Sequence, residues 1–144
     1  MVIRYLLDTN VTSQLRTALY PDTDPHFAAW AKSDALAQAA ISVITIHEME
    51  RGILQVARKD HAKADVYRTW LDTLLGMFSE RLLPVTLETA MLAAAYHVPD
   101  PAPLADSLIG ATAAERGLTV VTRNTVHFER FGVPLLNPWE FPTG

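Results

Sequence analysis

No cysteine occurs among the 144 residues, which removes disulfides, thiolate metal sites and cysteine nucleophiles together. Charge is scarce as well. Asp, Glu, Lys and Arg make up 19% of the chain against 49% apolar residues, a balance that excludes a disordered chain and suits a compact α/β core. Long apolar runs are missing, because Arg, Asp, His or Glu interrupts each one before membrane-spanning length. The first residues lack the basic region, apolar core and cleavage site of an export signal, so a cytoplasmic location is expected. Lys and Arg are outnumbered 12 to 16, and a net charge of −4 argues against a broad nucleic-acid-binding face. It leaves room for a small catalytic footprint in which carboxylates are gathered around a metal. No repeat, low-complexity tract or linker divides the sequence, and residues 1–144 are expected to form one domain.

What the chain does contain is an alternation of short β-type runs with helical patterns. Tyr5-Leu6-Leu7 reads as a buried strand that stops at a carboxylate, Asp8, followed by Thr9 and Asn10. Two readings stand there: Asp8 or Asn10 caps the next helix, or the acid occupies the crevice outside the carboxyl ends of the strands, where open α/β sheets bind ligands. A short helix is expected over Val11–Leu19 with Asn10 or Thr12 as cap, and a second after Asp24-Pro25 with Phe27, Trp30 and Ala31 inward. Ala39–Ile44 is the second strand. Thr45-Ile46-His47-Glu48 then fits a capping box opening a helix with Ile46, Met49, Ile53 and Val56 on its apolar face. A longer amphipathic helix carries Val66, Trp70, Leu74, Met77 and Phe78.

Leu82–Val85 reads as a short strand that Pro84 confines to an edge. Thr86 caps a helix bearing Leu87, Ala90, Met91 and Ala94, and Pro103 opens another that ends at Gly117 in the left-handed conformation. Leu118–Thr122 and Val133–Leu136 complete the strands. Strands and helices in this order imply right-handed βαβ units and a mainly parallel sheet covered on both faces.

Parallel strands share one carboxyl edge, and three acids are placed by this reading at that edge. Asp8 ends the first strand, Glu48 lies in the first turn of the helix after the second, and Asp106 in the first turn of the helix from Pro103. Asn124 follows the strand ending at Val121, and His127 comes one turn later. Convergent carboxylates repel unless a cation neutralises them, and oxygen donors without thiolates suit Mg²⁺ or Mn²⁺. That chemistry fits phosphodiester hydrolysis by a metal-activated water. Each residue also has a simpler reading: Glu48 as half of its capping box, Asp106 as an anion on a helix dipole, Asn124 as a turn residue, His127 as an ordinary surface or core histidine. Glu50 is placed on a different, solvated face. Arg51, one turn after Glu48, and Arg123, beside Asn124, either meet phosphates or balance acids in salt bridges.

The blocks Leu6-Leu7-Asp8-Thr9-Asn10, Ser42–Gly52, Leu104–Ala113, Val121-Thr122-Arg123-Asn124 and Asn137-Pro138-Trp139 come in the order found in the PIN domain. The chain resembles that family, and within it the VapC-type toxins of bacterial toxin–antitoxin pairs. The resemblance implies a three-layer α/β/α sandwich with ribonuclease activity dependent on Mg²⁺ or Mn²⁺, homodimerisation, and silencing by a small antitoxin. It places Asp8, Glu48 and Asp106 on the family's metal-binding acids, and Thr9 and Asn124 on polar positions of the same pocket. His127 stands where many members carry a fourth acid, which should weaken a second metal site most. Two other functions fit the same blocks: a catalytically weak PIN-like RNA-binding module, and an RNA-processing nuclease outside toxin–antitoxin biology. Trp30, Trp70 and Phe78 either pack on the sheet or form part of a dimer face or antitoxin groove.

Overall fold

The computed structural model describes residues 2–143; Met1 and Gly144, the ends of the expected domain, lie outside the described residues. Strands β1 (Tyr5–Leu7), β2 (Ala39–Ser42), β3 (Leu82–Leu83), β4 (Thr119–Val121) and β5 (Leu135–Leu136) form one sheet in the order β3-β2-β1-β4-β5. Every pairing in it is parallel. Between them run α1 (Thr9–Gln14), α2 (Pro25–Ala31), α3 (Val43–Ala57), α4 (His61–Met77), α5 (Leu87–Ala95), α6 (Leu104–Arg116) and α7 (Thr125–Phe128). No helix of the described residues is long and apolar enough to cross a membrane.

The sheet is covered on both faces, as an all-parallel sheet requires. Side chains alternate across a strand, so Leu6 and Leu7, both fully buried, enter different cores. Leu7 packs with Val11, Phe27, Trp30, Ile41, Leu74 and Phe78, and Leu6 with Ala40, Ile109, Val120, Phe128 and Phe131. The three-layer α/β/α sandwich expected from the sequence is therefore the fold. Trp30 and Phe78 are fully buried, and Trp70 packs against the same cluster while its indole N–H donates to the Thr12 carbonyl at 2.8 Å. Trp30 and Phe78 therefore cover the sheet, while Trp70 is only half-buried.

Several element boundaries differ from the sequence reading, for local reasons. The second strand stops at Ser42 because the Ser42 hydroxyl accepts the Ile44 amide and caps α3. Val43 and Ile44 are thus drawn into the helix despite their β-branched side chains, and the Thr45–Glu48 capping box does not form. Glu48 accordingly lies in the second turn of α3, not the first. The first helix starts at Thr9 with Asp8 as its cap, displacing Asn10 and Thr12 from that role, and passes into a 3₁₀ turn at Leu15–Thr17 short of Leu19. Pro103 is the residue before α6 and not its first. Glu50 is not solvated alone: a two-pronged ion pair to Arg68 ties α3 to α4, with Nη2 at 2.6 Å from Oε2.

Other signals act as read. Asp24 accepts the His26 and Phe27 amides ahead of Pro25, Thr86 and Thr89 form a reciprocal capping box on α5, and Gly117 ends α6 at φ +66°. β3 is an edge strand, and Pro84 follows it directly. The surprise is α5. Leu87, Ala90, Met91 and Ala94 form its exposed face, while Thr89 and Ala93 are buried.

Gly110 fixes how deeply α6, the helix that carries Asp106, seats on the fold. A Cβ there would stand 2.6 Å from Cδ2 of Phe131, a ring that is itself confined by Tyr96 and Phe128. Gly110→Ala should gain up to about 1 kcal/mol of helix propensity. It should lose about 1–3 kcal/mol to overpacking. We expect net destabilisation, read as a lower urea midpoint at unchanged slope.

Candidate active site

β1 and β4 pair in the register Leu7↔Val121, so the residues that follow, Asp8 and Thr122, leave the sheet side by side. The chain builds outward from β1 through β2 and β3, then returns to the other side of β1 for β4 and β5. The β1/β4 edge is therefore the topological switch point, where the connections diverge and leave a crevice.

Asp8 lines that crevice with only 6% of its surface exposed. Its carboxylate accepts the Thr9 amide at 2.8 Å, the Asn10 side-chain amide at 3.1 Å and the Thr122 hydroxyl at 2.8 Å. Asn10 also donates to the Thr122 hydroxyl at 3.3 Å and accepts the Arg123 amide at 3.2 Å. The Thr122 oxygen in turn accepts the Asn124 amide at 3.0 Å. Burial raises the Asp8 pKa above the ordinary aspartate value, outweighing the lowering by Thr122, Thr9 and Asn10, and nearby Glu48 adds to the rise.

Glu48 reaches the same place from α3, where its Oε1 accepts the Thr9 hydroxyl at 2.6 Å. Asp106 approaches from the first turn of α6. Its pKa is raised first by burial, then by the charges of Asp8 and Glu48, against a lowering by His127. Nδ1 of His127 lies 4.0 Å from Oδ2 of Asp106, too long for a hydrogen bond but well within Coulomb range. The structure thus brings Asp8, Thr9, Glu48, Asp106 and His127 together. Asn124 is at the rim, exposed and anchored by its backbone, and its side chain does not cap α7. The two arginines stay apart from the acids. Arg51 is exposed with no carboxylate partner among the described residues, and Arg123 stacks its guanidinium over Trp139 at 4.9 Å.

Asn10 and Thr122 belong to the site although sequence reasoning gave them no role in it. Their signal is the strand register: once β1 and β4 are known to be neighbours, the polar residues just past both ends must touch. Strand order, which the sequence does not display, was the missing step.

Among the described residues no group of three or more His, Asp or Glu side chains is disposed to hold a metal ion by itself. The donor set nevertheless fits a hard cation that keeps part of its water shell. Asp8, Glu48 and Asp106 have no Lys or Arg partner among the described residues, and two of them are held back from ionising by burial and by one another. Mg²⁺ is commonly bound by one or two carboxylates with the remaining contacts through water.

An α/β fold with acids gathered at its switch point defines an acidic crevice, and comparison with known proteins gives it a family. The PIN domain model matches residues 5–134, and the chain belongs to that family. It is 30% identical over 141 residues to the VapC ribonuclease Y4jK of Sinorhizobium fredii, covering 94% of this chain and 97% of the relative. The solved FitAcB structure from Neisseria gonorrhoeae superposes with a TM-score of 0.81 at 31% identity, covering 95% of this chain and 99% of that one. A toxin–antitoxin complex from Klebsiella pneumoniae matches with a TM-score of 0.62 at 29% identity, over 95% and 99% of the two chains.

Raised carboxylate pKa values carry a sign. In the window above the ordinary aspartate value, folded Asp8 and Asp106 hold more protons than they do in the unfolded chain, so their contribution to stability falls as pH rises through it. Asp106→Asn should therefore raise the melting temperature at neutral pH in a chelator, with less gain at acid pH. Added Mg²⁺ or Mn²⁺ should stabilise the native chain more than the variant. Thermal melts across pH with and without the ion measure both.

Proposed function

We propose that this chain is a metal-dependent endoribonuclease, the toxin of a VapBC-type toxin–antitoxin pair, acting in the cytoplasm. The observation that carries the proposal is the convergence of Asp8, Glu48 and Asp106, without Lys or Arg partners among the described residues, at the switch point of a PIN fold. The names of its relatives, a VapC ribonuclease and a toxin–antitoxin complex, support the substrate and the setting.

Asp8, Glu48 and Asp106 would hold the ion, Mg²⁺ or Mn²⁺, directly or through water. When bound, such an ion supplies Lewis acidity that acidifies water and offsets the charge developing on the phosphate. The remaining work falls to the chain. Thr122, Asn10 and the Thr9 amide fix the Asp8 carboxylate in one orientation, and the Thr9 hydroxyl does the same for Glu48. Asn124 at the rim has its side-chain amide turned free of α7, available to a phosphate oxygen. His127, when protonated, adds positive charge beside Asp106. Arg51, one turn from Glu48 and without a carboxylate partner among the described residues, would meet a flanking phosphate, whereas Arg123 would have to leave the Trp139 ring to do so.

The chain is proposed to be a homodimer and to bind a small antitoxin. Support for a covered face comes from α5, the loop after it and the start of α6, where Leu87, Met91, Val98 and Leu104 are each more than half exposed. A catalytically weak RNA-binding module is the second reading, favoured by the acidic net charge and by His127 at a position often held by an acid.

Asp8→Asn removes a charge at nearly constant volume. It should abolish cleavage of mixed cellular RNA, as should a chelator, while circular dichroism and melting show a folded chain. Full nuclease activity in that variant would sink the assignment. Protection of RNA without cleavage by the native protein in Mg²⁺ and Mn²⁺ would favour the binding module.

A further inference from the structure

A cleft of about 420 Å³ opens beside the acids, with Thr9 and Glu48 on its rim and Arg16, Met49, Tyr67 and Trp70 farther in. It lies between α1, α3 and α4, and of its lining only Thr9 and Glu48 enter the chemistry described above. Its walls are set by packing: Trp70 spends its only side-chain donor on the Thr12 carbonyl, and the Thr12 hydroxyl, which donates to the Thr9 carbonyl at 2.9 Å, lies 3.5 Å from the Met49 sulfur. The indole and thioether are left as apolar surface of fixed shape. The Arg16 guanidinium lies over the Tyr67 ring at 5.3 Å from its centroid, and the Lys63 ammonium stands 5.7 Å from the same ring. Neither cation has a carboxylate partner among the described residues. In a chain of net charge −4, two cations are held by an aromatic ring and left free of acids beside a cluster of carboxylates.

We propose that this cleft is a nucleobase subsite, taking the base of a nucleotide next to the phosphate that is cut, and that Tyr67 and Arg16 determine how it is read. The proposal rests on the ribonuclease reading and deepens it. A nucleotide joins a planar aromatic ring to a negative charge, and the cleft presents the complement of both. The base lies against the Arg16–Tyr67 pair and the apolar wall of Met49 and Trp70, as single-stranded RNA bases do on aromatic and guanidinium planes. Its phosphate meets Arg16 and Lys63, and the next phosphate along the strand falls toward Glu48. The volume is within the range of small-molecule sites. An amphipathic peptide would use the apolar wall but leave both cations without a role.

The test uses a ten-residue oligoribonucleotide containing a mapped cut site, and the same oligonucleotide with one abasic residue moved through each position. Each is titrated in Mn²⁺ onto Asp8→Asn, which binds without cutting, and onto that variant combined with Tyr67→Phe, Tyr67→Ala or Arg16→Gln. One abasic position beside the cut should weaken binding to the Tyr67 and Tyr67→Phe proteins by about tenfold, the size of one lost stacking contact. Tyr67→Ala should bind the intact and that abasic oligonucleotide alike, and Arg16→Gln should reduce the difference. Equal affinity of Tyr67→Ala and Tyr67 proteins for intact RNA, or an abasic penalty that survives both Tyr67→Ala and Arg16→Gln, would overturn the subsite and leave the cleft to a peptide partner. In that event the native protein still cuts RNA. A native protein that neither cuts nor binds RNA removes the ribonuclease reading and the subsite with it.

Discussion

The register between β1 and β4 is the constraint on which the site depends. It sets Asp8 beside Thr122 at the end of two strands whose last two residues are fully buried, where neither residue can retreat into solvent. The three hydrogen bonds that Asp8 accepts come from the first amide of α1, the Asn10 side chain and the hydroxyl of Thr122, the residue that follows β4. A one-residue slip would turn Thr122 to the opposite face and break this arrangement. Leu6, Leu7, Val120 and Val121, all fully buried, hold the register against such a slip. Core packing on both faces of the sheet is thus what orients the carboxylate.

Most of the fold was legible because its punctuation is local. Asp24-Pro25, Thr86 and Gly117 mark helix ends through hydrogen bonds or backbone angles within a few residues, and the alternation of strands and helices gives the parallel sheet. The errors are places where two local signals competed. Ser42 and Thr45 are both competent caps for α3, and the sequence pattern of Thr45 with Glu48 is the more complete one. Ser42 prevails because β2 ends there, and Thr45 is then free to turn its hydroxyl toward Thr9, at 3.5 Å. The error about the cap is therefore tied to the site: Glu48 is available to Thr9 because it is not engaged in a capping box.

α5 shows a different limit. Its sequence is apolar on more than one side, so periodicity alone could not say which side faces inward. The structure buries Thr89 and Ala93 and exposes Leu87 and Met91, because small residues allow α5 to lie close along α6 and the Thr86–Thr89 capping box turns the helix in that sense. The acids were legible individually, as carboxylates at strand ends and helix starts. Asn10 and Thr122 were not, since their roles depend on which strands are neighbours.

An acidic chain that handles a polyanion has to place its few cations with care. Beyond about 8 Å, charges exposed to physiological salt are largely screened, so net charge matters less to a short strand of RNA than the groups it touches. Here Arg51, Arg16 and Lys63 are without carboxylate partners among the described residues, while Arg68 is committed to Glu50. Arg123 is parked on an indole, an arrangement that holds a guanidinium near the rim without neutralising Asp8 or Asp106. Had either acid been paired with an arginine, its charge would be balanced within the protein. The separation of the two charge types, acids at the switch point and cations around it, leaves the acids without a Lys or Arg partner and these cations without a carboxylate among the described residues, all on one small surface.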